Sequence, residues 1–329
     1  MLCGFTPLSP AQRGRRIGVS PAALLLVSWL GSAPAGAQLG EFLSGRVEAF
    51  EASDIRFPAS ASNAPFFPVA YVSGSFYNEA EVDVSGDEEL GYEINAFSQA
   101  AGVPFFPTSR DALAVGQYLS RTEFNASDPG LGDFSVNSVG VPLGWLRQLE
   151  GEWQAAAFAM PLAHQASLRG SHWSWQYRAG IFGLNTRRRD LIWACGLYLD
   201  VNDAEDFVLP YLGASWEIDE YWTLSAVLPW PALSYAPNRD WFVSIGASPS
   251  GASWSVESDG DEVAANFDAW DFGVSVERRL SGPVWGAVGA GVGGFRGLRF
   301  TVDGVESPEV DIESSGYVSL GVNFRPEVD

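Results

Sequence analysis

Lysine is absent from this 329-residue sequence, and histidine, cysteine and methionine occur only twice each. The all-arginine set of basic residues reads as GC-rich coding bias rather than chemistry. Against 19 basic residues stand 40 acids, for a formal charge of −21. Phosphate binding needs a basic surface, so nucleic acid is excluded as a partner. Two histidines without cysteine partners make a poor transition-metal site. No stretch repeats apolar residues at i, i+3, i+4 and i+7. The two uncharged stretches that tempt a search for membrane helices disfavour one. Residues 221–238 carry Pro229, Pro231 and Pro237, and residues 280–295 carry six glycines.

The N-terminus carries a basic patch (Arg13, Arg15, Arg16), an apolar run from Pro21 to Leu30, and small residues ending Ala35-Gly36-Ala37. This is the pattern of a cleaved secretory signal, with cutting expected after Ala37. The apolar run is too short to span a bilayer as a helix. Losing its three arginines takes the charge from −21 to −24. Cys3 leaves with it, so Cys195 stands alone and no intrachain disulfide can form. Residues 38–68, with FPASASNAPFFP, read as a Pro/Ser-rich periplasmic lead-in with room for one extra strand near 42–56. Residues 69–329 are long enough for one large all-β domain.

Period-two alternation dominates that domain. In NTRRRDLIWACGLYLD, Leu191, Trp193, Cys195, Leu197 and Leu199 share one face and follow at once on Arg187–Arg189. Trp173, Trp175, Tyr177 and Ile181 oppose Ser174, Gln176, Arg178 and Gly180, and similar runs follow at 208–217, 222–228, 270–277 and 312–325. The polar faces are rich in Gly and Ser with isolated charges, unlike a solvent face. The apolar faces are rich in Trp near strand ends. Apolar outward, polar toward a lumen and aromatics at both interfaces is the pattern of a transmembrane β-barrel. We therefore expect an antiparallel barrel of about fourteen strands, with twelve left open, in the outer membrane of a Gram-negative-type envelope. A soluble exported β-sandwich remains the alternative fold.

The strands are expected at 69–78, 91–99, 111–124, 133–147, 152–162, 172–184, 190–200, 206–217, 221–229, 240–248, 252–257, 266–279, 283–300 and 312–325. The links between them alternate between long acidic loops (79–90, 125–132, 163–171, 201–205, 230–239, 258–265, 301–311) and short near-neutral turns, with 100–110 the exception. Long outer loops and tight periplasmic turns predict that difference. Arg187–Arg189 would reach lipid phosphates from such a turn while Cys195 sits near mid-bilayer.

The segment from Arg187 to Val256, with GLYLDV and PYLGASWEIDEYWTLSAVLPWP, and the closing SSGYVSLGVNFR resemble a bacterial domain-of-unknown-function family of outer-membrane β-barrel proteins. The likeness covers about residues 170–325. It implies fold and location, and no ligand.

Six charges fall on the inward parity: Arg178, Asp200, Glu217, Asp271, Glu277 and Arg325. In an open lumen they would set selectivity, with an excess of acid favouring cations. Trp173, Trp175, Trp193, Trp216, Trp222 and Trp270 are the expected aromatic girdle. Val318, Leu320, Val322 and Phe324 form the final alternation that the barrel-insertion machinery reads, although Arg325–Asp329 extend past the terminal aromatic. Outer-membrane lipid is the expected partner. The acidic loops, which lack EF-hand spacing, suggest a weak site for divalent cations.

No catalytic residue and no cofactor are assigned. GAGVGG at 289–294 fits G-x-G-x-x-G, but no helical pattern follows it to meet a pyrophosphate. His164 and His172 near Ser167 and Ser174 allow a lipid hydrolase to be imagined, without a third member of the triad nearby. The expected role is a passive pore or small-solute transporter. A non-conducting structural or binding barrel is the second reading.

Overall fold

The structure, a computed structural model, describes residues 62–326 apart from 85–87, 128–131, 189, 203–205, 228–229, 259–260, 303–304 and 307–309, with a few positions between 45 and 55. The expected signal segment lies outside the described residues. Among those described, the chain is a ring of 14 antiparallel strands. They are β1 (Ala70–Tyr77 and Ala80–Val84), β2 (Glu88–Thr108), β3 (Asp111–Ala126), β4 (Phe134–Gly140 and Leu143–Gln148), β5 (Trp153–Ala166), β6 (Ser171–His172 and Ser174–Asn185) and β7 (Leu191–Asn202). The ring continues with β8 (Asp206–Glu217), β9 (Trp222–Ala226), β10 (Ala232–Asn238), β11 (Trp241–Ser258), β12 (Asp261–Ser281), β13 (Val284–Val302) and β14 (Val305–Glu306, Val310–Ile312 and Ser315–Phe324). Each strand pairs with the next. β14 returns to β1 through Ala70↔Phe324 to Tyr77↔Tyr317. That closure leaves no terminal strand to cap and removes the sandwich alternative.

The strand count agrees with the sequence reading, but two of its elements differ and offset one another. Residues 232–238 form β10 rather than a loop, and 240–248 and 252–257 are one strand, β11, running through 249–251. Pro231 stands just ahead of β10 and Pro237 at its register shift between Tyr235 and Asn238, places that tolerate a missing N–H. The long loops also shrink. β2 and β12 have 21 residues each and β13 has 19, whereas about 9–11 residues cross a bilayer. Most of 79–90, 258–265 and 301–311 is therefore strand that outruns the membrane. The exceptional 100–110 link is strand down to a turn at 109–110. In place of an extra strand near 42–56, Gly45, Glu48 and Ala49 are helical.

Packing differs along the barrel. At the end away from the short turns, the inward face is filled by a cluster of Tyr77, Ile94, Phe124, Val136, Ala166, Trp254, Val256 and Phe267 with neighbours. Phe124 stacks on Phe134 at 4.5 Å and meets Trp254 and Phe267 edgewise or tilted. β11 crosses to this cluster and pairs with β6 through Ser255↔His172 and Val256↔Ser171. At the short-turn end, residues ahead of β1 form a strap. Val69 N–H donates to Phe324 O at 2.9 Å, and Asn63 N–H donates to Glu220 O at 2.8 Å. Glu220 lies in the β8–β9 turn, half the ring away from β1, so residues 63–69 cross that mouth.

Candidate functional site

The outer surface gives the environment. Ile181, Leu212, Val208, Leu320 and Val288 are among the large apolar side chains left exposed on the barrel wall. Trp153, Trp193, Trp216, Trp222 and Trp241 ring the short-turn rim, and Trp173, Trp175 and Tyr177 mark the other level on β6. Trp270 is half-buried in the wall between Pro249 and Gly294. Val318, Leu320 and Val322 face outward, and Phe324 is half-buried where β14 meets β13 and β1. Cys195 is an exposed free thiol on the same apolar face. Only helices and closed barrels satisfy their backbone inside hydrocarbon. A closed ring with this belt is an outer-membrane β-barrel.

Inside, the expected charges other than Glu217 have polar partners. Arg178 Nε donates to Asp200 Oδ2 at 3.0 Å, and Gln176 Nε2 donates to Asp200 Oδ1 at 2.6 Å. His164 continues this network, bonded to Gln176 Oε1 at 3.0 Å and Ser138 Oγ at 2.7 Å. Tyr77 OH donates to Asp271 Oδ2 at 2.5 Å, and the Arg296 guanidinium lies over the Tyr77 ring while donating to Ser315 Oγ. Glu277 and Arg325 form a two-pronged buried pair at 2.9 and 3.1 Å. Asn323 also donates to Glu277, and Arg325 reaches back to Phe66 O of the strap. Glu217 is buried at the short-turn rim, and its Oε2 has no hydrogen-bond partner among the described residues. In the adjoining turn, the hydrogen bond from Arg188 holds the Asp190 carboxyl below the usual range.

Of the residues raised for hydrolysis, His164 faces inward and is buried, bonded to Ser138 rather than to Ser167 or Ser174. Ser167 Oγ accepts from Ser135 N–H, and His172 meets Glu262 at the far rim. Among the described residues no group of three or more His, Cys, Asp or Glu side chains is assembled for a metal.

Sequence reading missed the aromatic row of the lumen. On the inward face of β5 to β8, Phe158 stacks on Phe182 at 5.9 Å, Phe182 meets Tyr211 at 4.8 Å, and Phe158 meets Tyr198 at 6.0 Å. All four are half-buried. The rings lie over glycine. A Cβ on Gly180 would stand 2.6 Å from Phe182 and 2.7 Å from Phe158. Across the barrel the lining is small, with Ala96, Ser98, Ala100 and Gly102 on β2. The alternation of Phe158 and Phe182 carried the signal, but their contact needs the registers Ala156↔Phe182 and Phe158↔Gly180.

No family model matches the chain, and no curated protein matches it. Among solved structures, an outer-membrane channel from Pseudomonas putida F1 is similar at 12% identity, covering 82% of this chain and 99% of that one, with a TM-score of 0.43. The Pseudomonas putida toluene transporter TodX is similar at 8% identity, covering 83% and 99%, with a TM-score of 0.35. The translocator domain of the autotransporter NalP from Neisseria meningitidis is similar at 10% identity, covering 89% and 97%, with a TM-score of 0.34.

Proposed function

We propose that this outer-membrane β-barrel passes small solutes of low polarity across the membrane without an energy source. The observation that carries the reading is the half-buried aromatic row Phe158–Phe182–Tyr211–Tyr198 on the inner face of a fourteen-strand ring. Eight strands already hold a packed interior or one small ligand, and fourteen leave more room. Flat aromatic faces over glycine offer apolar contact without a fixed hydrogen-bond pattern, which suits weak, multi-site passage rather than tight binding.

The inward charges argue against ion selectivity as the main role. Asp200 and Glu277 are each met by an arginine, and Asp271 by Tyr77 beside Arg296, which leaves Glu217 at the short-turn rim as the one unmatched acid of the expected set and weakens the cation preference expected from the acid excess. A non-conducting structural barrel is the second reading, favoured by the apolar pack at one end and the strap across the other. Outer-membrane vesicles with and without the chain separate the two. Fluorescent phenylnaphthylamine, a neutral aromatic, should equilibrate faster into vesicles that carry it. Equal rates would leave the structural barrel standing.

A further inference from the structure

Around the lumen, polar side chains follow one another from strand to strand in a continuous file. Strands of a closed barrel are tilted and staggered, so a row followed from partner to partner climbs instead of closing on itself. From Glu217 at the short-turn rim, such a row runs through Thr223, Ser234 and Ser244 to Ser275. It passes Gly289, where a Cβ would stand 2.4 Å from Ser319 Oγ, and reaches Ser319 and Ser75. Two residues back along β1, on the same face, Ser73 takes it on to Ser98, Ser120 and Ser138. Ser138 meets His164, and further hydrogen bonds lead to Gln176 and Asp200. Each of the 14 strands contributes to this file. Thr223 follows Trp222 of the short-turn belt, and Gln176 lies between Trp175 and Tyr177 of the other, so the file climbs from one belt to the other. Its ends stand on neighbouring strands, Asp200 on β7 and Glu217 on β8, and the aromatic row occupies the wall that the file leaves free.

We infer that this file is a polar track, and that the solute the lumen passes best is an uncharged aromatic ring bearing hydroxyl groups rather than a bare hydrocarbon. The inference rests on the passive-transport reading and narrows its solute class. Three features support it. First, the hydroxyls keep bonding capacity for a guest. Ser244 Oγ lies 2.8 Å from Ser275 Oγ, and Ser73 Oγ lies 2.9 Å from Ser98 Oγ. A hydroxyl offers one donor and two acceptor sites, so one bond within each pair leaves the rest unused. Thr223 Oγ1 has no hydrogen-bond partner among the described residues. Second, acidic charge enters the file only at its ends, at Glu217 and Asp200. Between them a solute's hydroxyl can pass from one neutral partner to the next, none of which holds it tightly. Third, the rings and the track touch. Tyr198 OH donates to Asp200 Oδ2 at 3.3 Å, while Asp200 Oδ1 accepts from Gln176 of the file. A ring stacked on the aromatic row therefore has the upper end of the track beside it.

Liposome swelling reads this selectivity, because lipid alone holds glucosides back. The full mature chain, checked for folding by heat-modifiable gel migration, is placed in liposomes. These are then diluted into isotonic 4-hydroxyphenyl glucoside or methyl glucoside. The aryl glucoside should enter faster although it is the larger of the two. Ser98→Ala, Ser120→Ala and Ser275→Ala combined should slow it about fivefold, the equivalent of one neutral hydrogen bond at a time. The same variant should leave phenylnaphthylamine uptake unchanged. Faster entry of methyl glucoside in the parent would mark a plain sieve and overturn the track. An unchanged rate in the folded triple variant, or no entry of either glucoside, overturns it as well. Should the triple variant fail to fold, the order of the two glucosides in the parent decides. Phenylnaphthylamine uptake by the parent judges the transport reading separately, so the track can fall while that reading stands.

Discussion

Among single residues, the Glu277–Arg325 pair makes the sharpest claim. Both side chains are 8% exposed and meet through two hydrogen bonds. Removing one partner from such a pair leaves a buried charge uncompensated, at a cost of roughly 3–5 kcal/mol. Glu277→Gln should therefore lower the urea midpoint of unfolding in detergent by that equivalent, and adding Arg325→Met should restore most of it. Gly180 makes a second claim. Gly180→Val would push Phe158 and Phe182 off the wall, so the folded variant should lose phenylnaphthylamine fluorescence enhancement relative to the parent while keeping its heat-modifiable migration. The inward parity of a charge is written in the alternation of a strand. Its partner is not, because Arg178 meets Asp200, and Arg325 meets Glu277, only through registers between strands. The aromatic row was hidden for the same reason: its four rings come from four different strands.

Individual strands were most legible where alternation was clean, as in β6 to β8 and in β14. It failed at β10 and β11, where Pro231, Pro237, Pro249 and Gly251 imitate turn signals. Pro231 precedes β10 and Pro237 falls at its register shift, while Pro249 and Gly251 keep an unbroken pairing with β12. Strand length was also misjudged. The acidic start of β12 at 261–265, where charge departs from a lipid-facing pattern, was read as loop, whereas 283–300 was expected as one strand of nearly the full length of β13. Beyond the membrane that constraint lapses, and pairing simply continues. The apolar pack joins these extensions to the rest. Phe124 sits at its centre, against Phe134, Trp254 and Phe267. Phe124→Ala should cost roughly 3–5 kcal/mol, the usual range for a buried Phe. Urea unfolding followed by tryptophan emission measures the loss, since Trp254 reports from the same cluster.

Taken as a whole molecule, the barrel was legible as a membrane barrel because outside and inside follow different rules of composition. The obstruction of its two ends was not. The strap places Asn63 against Glu220 and Phe66 against Arg325, contacts with no local signature in a Pro/Ser-rich segment. Deleting residues 45–66 should uncover that mouth. In planar bilayers the deleted form is expected to show more frequent or larger current steps than the parent; unchanged traces would place the barrier to ions at the apolar pack instead. The length of the longest strands has one more consequence. At about 3.3 Å per residue and a tilt near 40°, the 21 residues of β12 rise roughly 50 Å, about twice the apolar height of such barrels. Half of that hairpin therefore stands clear of the lipid like a chimney, presenting Glu257, Asp261 and Glu262 to whatever surrounds the cell. Antibodies or phage would meet this turret long before they met the wall beneath it.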